Sequence, residues 1–241
     1  MSEFYHAVSP MPAGEGMPHV FIATPSTQLY GNHFAAVVRG LPLLVGAGVA
    51  CDHFLLTGLC HCDDARNVCV SRFLQTKCTD LIFIDADVGF PPEALYRLAL
   101  HKGDIVAGVY PRKDINKSYP CKVEPGPLHI GEDGVIREGI IGLPTGFMKI
   151  RRGVLERMAE ERVDRMFRAE GDAANAPLVP IIFERGYEKG NRLSGDIAFC
   201  KWASELGFEL ALDPMLAFTH AGEMKFYGRM IDDLAPPTEE A

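Results

Sequence analysis

The sequence lacks several features that would place it in well-known classes of protein. Its longest nearly apolar run, Leu41 to Cys51, is too short to cross a bilayer and contains proline and glycine. The first residues show no basic start followed by an apolar segment, so no secretory signal is expected. There is no G-x-S-x-G and no P-loop motif, so the serine hydrolase and P-loop NTPase classes have no support.

Positive charge is also scarce. The net charge is −8 at pH 7 and the sequence pI is about 5.5. Proteins that grip long nucleic acids usually present a basic face, so no nucleic-acid partner is expected. A small phosphorylated ligand stays compatible with this charge, because it needs only a local positive site or a metal ion.

The seven cysteines predict no disulfide framework. Their number is odd, and a chain of 241 residues can build a sizeable core without covalent staples. Reduced thiols in the cytoplasm are the simpler expectation. The run Cys60-His61-Cys62-Asp63 places four donors side by side, which cannot easily surround one zinc ion, so no structural zinc is expected there.

Apolar runs and amphipathic segments alternate along the first half of the chain. This order predicts an α/β fold in one domain, with a mixed, mainly parallel sheet flanked by helices. One helix, over 32–44, is expected to end early at Gly40 and Pro42. The predicted boundaries are a flexible N-terminal arm (1–18), the α/β domain (19–228) and an acidic, disordered tail (229–241).

Two carboxylates end the most β-rich run of the chain, Asp80-Leu-Ile-Phe-Ile-Asp-Ala-Asp87. Side chains two positions apart on an extended chain point the same way, so Asp85 and Asp87 are expected to face one ligand. Ligands of open α/β sheets bind outside the carboxyl ends of the strands. Mg²⁺ or Mn²⁺ with substrate phosphates is the usual partner of such a pair, although a solvated strand end is the plain alternative.

The stretch around this pair resembles the D-x-D motif of glycosyltransferases with the GT-A fold. Thr79 to Lys113 looks like the central segment of a family 2-like or Anp1-like branch found in bacteria and phages. The resemblance runs in the same motif order from about His19 to Gly228. Further matching segments are Thr24-Pro25, Ala65-Arg66-Asn67, Ser194-Gly195-Asp196-Ile-Ala-Phe199 and His220.

The resemblance implies transfer of a sugar from a nucleotide-diphosphate donor, UDP- or GDP-linked, to a hydroxyl of a glycan or another acceptor. It also implies Mn²⁺ or Mg²⁺ as cofactor, with Asp85, Asp87 and His220 as metal ligands. A divalent cation stabilises the charge of a departing diphosphate, and a base must take the proton of the acceptor hydroxyl. A loop histidine without a special role is the alternative for His220.

The remaining roles also follow from the resemblance. Donor binding is assigned to Thr24, Pro25, Arg66, Asp85, Ala86, Thr145 and Gly146. For Thr145 and Gly146, a tight turn into a strand with no ligand is the alternative. Arg66 would clamp phosphate; a salt bridge with Asp63 or Asp64 is the alternative, and the two roles are not exclusive. Asp196 is the candidate base, but it could instead cap its helix or, in an enzyme that retains configuration, position the substrate. Gly195 stands where the family motif has Glu, which puts the catalytic assignment in doubt.

Two other functions stay open at this stage. A nucleotidyltransferase can share this general fold, but its first strand is usually followed by a glycine-rich basic loop, and here that place reads Thr24-Pro-Ser-Thr-Gln28. A non-catalytic protein that binds a nucleotide or a sugar is the second alternative. The basic residues Arg112 and Lys113 could meet phosphate or an acidic acceptor, or could be an ordinary solvated loop.

Overall fold

The computed structural model describes residues 3–9, 11–59, 61–116, 118–168, 178–222 and 226–234. Within these ranges no helix combines the length and the apolarity needed to cross a membrane.

A seven-stranded sheet forms the centre of the molecule. In spatial order its strands are β1 (Glu3–Ala7), β3 (Ala50–Thr57), β2 (His19–Ser26), β4 (Asp80–Ile84), β9 (Phe147–Arg151), β6 (Ile105–Gly108) and β14 (Leu210–Asp213). β1 and β9 run antiparallel to their neighbours, and the other five strands share one direction. The prediction of a mixed, mainly parallel α/β sheet is therefore confirmed.

Helices cover both faces of this sheet. They are α1 (Gly31–Gly46), α2 (Cys62–Leu74), α3 (Pro92–Leu100), α4 (Arg152–Glu160), α5 (Gly195–Glu205) and α6 (Met230–Leu234). Alternate residues of β2 enter the two cores: Phe21 packs on the side of α2, α4 and α5, and Ile22 packs on the side of α1 and α3. Burial on both faces explains why the central strands read as continuous apolar runs.

Short strands attach a further layer to the carboxyl end of β4. β5 (Val88–Gly89), β15 (Ala217–His220) and β16 (Phe226–Arg229) form a three-stranded sheet in which His220 is the partner of Val88. This pairing brings His220 beside the turn that carries Asp87. The described residues also form three two-stranded ribbons: β7 (Lys122–Val123) with β8 (Ile140–Gly142), β10 (Met166–Arg168) with β11 (Leu178–Pro180), and β12 (Gly186–Glu188) with β13 (Asn191–Leu193).

Three sequence-based expectations need correction. The N-terminal arm is not loose throughout, because residues 3–7 form β1 and pair with β3 over all five positions. The acidic tail begins with helix α6, whose Met230 is buried in the core, and residues 235–241 lie outside the described ranges. Helix α1 continues through Gly40 and Pro42 to Gly46 because it packs along α3. Tertiary packing thus outweighs the local preference of both residues.

Candidate active site

The turn after β4 holds the predicted carboxylate pair. The Asp85 N–H donates to the carbonyl of Gly146 at 2.9 Å, and the Asp85 carbonyl accepts from the N–H of Val88 at 3.0 Å. These bonds fix residues 85–88 as a tight turn at the carboxyl edge of the sheet. In α/β folds ligands bind at this edge.

Arg66 lies between Asp85 and Asp196. Its Nη2 is 3.2 Å from Oδ1 of Asp85, and its Nη1 is 3.5 Å from Oδ1 of Asp196. The guanidinium is almost completely buried, with 5% of the side chain exposed. The sequence-based alternative, a salt bridge to Asp63 or Asp64, is wrong: the carboxylate of Asp63 lies 3.5 Å from Arg185 instead.

Burial and the neighbouring charges shift the pKa values of Asp85 and Arg66. Desolvation raises the pKa of Asp85, and the like charges of Asp196 and Asp87 add to the effect, whereas Arg66 opposes it. Burial would lower the pKa of Arg66, but Asp196 and Asp85 more than compensate and raise it above its ordinary value. Arg66 is therefore a permanent charge, and its removal would leave two carboxylates facing each other.

Asp87 faces two other groups, Lys113 and His220. Its Oδ2 is 2.6 Å from Nζ of Lys113 and 3.3 Å from Nε2 of His220. Burial alone would raise the pKa of Asp87, but hydrogen bonds and charge from His220 and Lys113 lower this pKa to about 2. Asp87 is therefore fully ionised at neutral pH.

The tautomer of His220 bears on metal binding. Its Nδ1 lies 2.8 Å from the carbonyl oxygen of Pro111, and a carbonyl only accepts, so Nδ1 carries the proton. In the neutral ring, Nε2 then points its lone pair at the carboxylate of Asp87. Without a metal ion, a proton on Nε2 makes the hydrogen bond that lowers the pKa of Asp87; with a metal ion, the lone pairs of Nε2 and of the carboxylate would both face the cation. When an octahedral ion holds its ligand atoms at about 2.1 Å, two adjacent ligand atoms are roughly 3.0 Å from each other. The 3.3 Å between Oδ2 of Asp87 and Nε2 of His220 therefore fits a shared divalent cation.

Only two of the three predicted metal ligands are in contact with each other. Asp87 and His220 are in contact, whereas the carboxylate of Asp85 is turned toward Arg66. Asp85 would reach a shared ion only by loosening its bond to Arg66.

A cavity of about 310 Å³ opens beside the two carboxylates. Three of the residues predicted to bind the donor line it: Pro25, Asp85 and Ala86. The other lining residues are Ser26, Thr27, Gln28, Tyr30, Leu59, Cys62, Ala65 and Asp87. Thr24 does not line it: this residue is fully buried, and its hydroxyl lies 3.3 Å from Nε2 of His53. β2 and the loop that follows it contribute to the cavity only from Pro25 onward.

Thr145 and Gly146 contact the aspartates of the site: Thr145 bonds to Asp196, and Gly146 bonds to Asp85. Thr145 is fully buried and donates from its hydroxyl to Oδ1 of Asp196 at 3.0 Å. A Cβ at position 146 would collide with the Tyr110 hydroxyl and with Oδ2 of Asp85, so only glycine fits between them. Both residues therefore position carboxylates and do not face the cavity.

Asp196 lies in the first turn of α5 but does not cap this helix. Ser194 is the cap, since its hydroxyl accepts from the N–H of Ile197 at 3.4 Å. Thr145 and Arg66 both approach Oδ1 of Asp196. Among the described residues none bonds to Oδ2, so this oxygen is available to a substrate.

There is a direct steric reason for glycine at position 195, where the family motif has Glu. A Cβ there would overlap the carboxylate of Asp63, which projects from the start of α2. Space that a larger residue at 195 would need is thus already filled by another acid. Sequence reasoning could not find this, because the two residues are 132 positions apart.

Sequence reasoning also missed Tyr110, Cys62 and His33. The Tyr110 ring packs edge-on against His220, with the centroids 4.8 Å apart, and the Cys62 thiol accepts from Nη1 of Arg66. His33 is buried under the turn after β4, and desolvation and the nearby His53 lower its pKa to about 4. Cys62 belongs to the Cys60–Asp63 run discussed for zinc, but nothing in the sequence predicts its contact with Arg66, and no motif assigns a role to Tyr110 or His33.

No protein-family model and no curated protein is similar to this chain. Among solved structures, one similar chain is GalNAc-T7 with UDP, GalNAc and Mn²⁺, at 9% identity, covering 86% of this chain and 44% of that one, with a TM-score of 0.48. A glycosyltransferase involved in the glycosylation of the major capsid of PBCV-1 is similar at 12% identity. The match covers 58% of this chain and 63% of that one, with a TM-score of 0.35. The inositol-1-phosphate CTP transferase from T. maritima is also similar, at 12% identity. The match covers 85% of this chain and 89% of that one, with a TM-score of 0.43.

These three similarities do not indicate a function, because each TM-score is below 0.5. The three structures also include both glycosyltransferases and a nucleotidyltransferase. This chain also spans less than two thirds of the first two structures. The functional assignment therefore depends on the residues of the site.

Proposed function

We propose that this protein is a metal-dependent glycosyltransferase that moves a sugar from a UDP- or GDP-linked donor to a hydroxyl of a glycan or another acceptor. One observation carries the proposal: Asp87 and His220 face each other at 3.3 Å, beside a cavity at the carboxyl edge of the sheet. The D-x-D resemblance described above supports the same assignment. We place the protein in the cytoplasm, in line with its free thiols.

The proposed metal site consists of Asp87 and His220, with Asp85 joining when it loosens from Arg66. Mn²⁺ or Mg²⁺ held there would neutralise charge on the departing diphosphate. Lys113 approaches the same carboxylate oxygen and would add a second positive charge near the phosphates.

Asp196 is the proposed base. Its Oδ1 is held by Thr145 and Arg66, and its Oδ2 would take the proton of the acceptor hydroxyl. As this proton leaves, the acceptor oxygen bonds to the anomeric carbon, and the bond from that carbon to the diphosphate breaks. Thr145 and buried Arg66 keep the carboxylate in place for this transfer.

The nucleotidyltransferase alternative receives less support from the site. Activation of a triphosphate would call for a glycine-rich basic loop after the first strand. Residues 24–28 at that place carry neither glycine nor a basic side chain.

The proposal is tested by calorimetric titration of UDP and of GDP, each with and without Mn²⁺. We expect one nucleotide to bind only with the metal, and we expect Asp87→Ala to abolish this binding without unfolding the protein. Asp164→Ala is the matched control, since Asp164 is an exposed aspartate distant in sequence from the site. Unchanged metal-dependent affinity in Asp87→Ala would refute the site assignment.

Turnover separates the enzyme from a protein that only binds nucleotide or sugar. Wild-type protein should release nucleoside diphosphate from the donor that it binds, and Asp87→Ala should not. Metal-dependent binding without any turnover across a panel of hydroxyl acceptors would favour the non-catalytic alternative.

A further inference from the structure

A second cluster of metal-binding side chains lies at the opposite end of β4 from the candidate active site. It consists of His19 at the start of β2, Asp52 in β3, and Cys78 just before β4. β4 spans five residues, so roughly 16 Å of strand separates this cluster from the turn that carries Asp85. We name it the His19–Asp52–Cys78 cluster.

The donor atoms of this cluster are close together. One ligand atom from each of the three residues lies within 4.8 Å of the others. Nε2 of His19 is 2.9 Å from Oδ1 of Asp52, and Sγ of Cys78 is 3.6 Å from Oδ2 of Asp52. Tetrahedral ligands of zinc at 2.0–2.3 Å are roughly 3.3–3.8 Å apart. The Asp52–Cys78 distance matches this spacing, whereas His19 and Asp52 are at hydrogen-bond distance and would separate slightly around an ion.

The charge of Asp52 is also unusual for a buried position. Asp52 is only 3% exposed, yet among the described residues no lysine or arginine forms an ion pair with its carboxylate. Its polar partners are the Ser9 N–H at 3.0 Å, the Cys78 thiol, and the rings of His19 and His6. A buried carboxylate surrounded by metal-binding groups, and not by fixed cations, is typical of a metal site.

His6, on the edge strand β1, is a further donor near this cluster, although it is outside the set of three residues whose ligand atoms all lie within 4.8 Å of one another. Its Nε2 lies 3.6 Å from Oδ2 of Asp52, and its ring packs edge-on against Phe21 and Phe54. Two imidazoles, one carboxylate and one thiolate form a ligand set that zinc accepts in four-coordinate sites.

We propose that His19, Asp52 and Cys78, with His6 as the fourth ligand, form a structural zinc site that fastens β1 to the central sheet. This site is separate from the proposed Mn²⁺ or Mg²⁺ site in position and in chemistry. Nitrogen and sulfur ligands favour zinc, whereas the oxygen-rich turn after β4 favours harder cations.

Cobalt(II) is the probe for the test, because thiolate coordination to Co²⁺ gives a charge-transfer absorption in the near ultraviolet. Protein stripped with a chelator should bind one equivalent of Co²⁺ with this band, and Zn²⁺ should displace it. Cys78→Ser should lose the band. His19→Gln and His6→Gln should each weaken Zn²⁺ binding by at least about tenfold.

Cys51→Ser is the matched control. Cys51 precedes Asp52 in the chain but packs on the other face of the sheet, so this variant should keep the band. Asp87→Ala should keep it as well, so that failure of the zinc proposal and failure of the proposed function are distinguishable. Absence of the band in the wild type, or an equal band in Cys78→Ser, would overturn the zinc site.

A second readout covers the possibility that the variants fold poorly. If zinc fastens β1, a chelator should lower the melting temperature of the wild type, and added Zn²⁺ should restore it. If the histidines act only as protonated partners of Asp52, the melting temperature will respond to pH and not to the chelator. That result would equally refute the proposal.

Discussion

Nζ of Lys113 lies 2.6 Å from Oδ2 of Asp87, the carboxylate that we propose as the main metal ligand. A fixed cation thus occupies the place where a divalent ion would approach. The loop after β6 supplies this lysine, and the turn after β4 supplies the aspartate. Metal binding and the position of Lys113 are therefore coupled.

Replacing Lys113 by Met should have opposite effects on the two ligands. Without nucleotide, affinity for Mn²⁺ should rise roughly fivefold, because a competing contact of about 1 kcal/mol is gone. With saturating Mn²⁺, affinity for the nucleoside diphosphate should fall, because a positive charge near the phosphates is lost. Calorimetric titration measures both. Lys77→Met, at an exposed lysine beyond the end of α2, is the control, and an unchanged Mn²⁺ affinity in Lys113→Met would contradict the coupling.

Asp196→Asn should separate catalysis from binding. The amide keeps the hydrogen bond from Thr145 but cannot take a proton, so turnover should fall by about 10²–10⁴ while donor affinity changes little. Steady-state rates and donor titration check this. Equal turnover in the variant would remove Asp196 from catalysis, and an equal loss of affinity and turnover would assign it to substrate positioning.

Removal of Arg66 should be costly for stability. Arg66→Met leaves Asp85 and Asp196 facing each other in a partly buried site, so the free energy of unfolding should fall by about 3–5 kcal/mol. Urea denaturation measures the loss, with Arg192→Met at an exposed position as control. Adding Asp196→Asn to Arg66→Met should recover part of it, and no recovery would mean that carboxylate repulsion is not the cause.

Gly195→Ala tests the steric explanation for the glycine at the start of α5. The new Cβ would overlap the carboxylate of Asp63, which ends a flexible and partly exposed side chain, so we expect Asp63 to move aside and the free energy of unfolding to fall by no more than about 1 kcal/mol. The double variant Asp63→Ala/Gly195→Ala should lose less than the sum of the single variants. Strict additivity in this double-mutant cycle would show that the two positions do not compete for space.

His33 should make stability depend on pH. Its pKa is lowered from 6.5 to about 4 by burial, so the folded protein binds a proton there less readily than the unfolded chain. The contribution is present above pH 6.5 and is lost as the pH falls toward 4, at a cost of about 3 kcal/mol. Urea denaturation at several pH values should give a flatter profile for His33→Gln than for the exposed control His129→Gln. Parallel profiles would contradict this account.

The sequence by itself determined the layered α/β fold and the position of the carboxylate pair. Alternation of apolar runs and amphipathic segments is a local pattern, and so is the abrupt end of the β4 strand in Asp85 and Asp87. The β1 strand was missed for the same reason. Residues 3–7 are largely exposed, so no periodic burial marks them, and only pairing with β3 makes them a strand.

Only the tertiary structure decided which charges meet. Arg66 had Asp63 and Asp64 as sequence neighbours, yet it pairs with Asp85 and Asp196 because α2 packs with this side chain against the carboxyl edge of the sheet. The His19–Asp52–Cys78 cluster likewise joins residues from three separate segments. Ion pairs and metal ligands depend on distances of a few ångströms between side chains, and strand order and helix packing set these distances where sequence spacing does not.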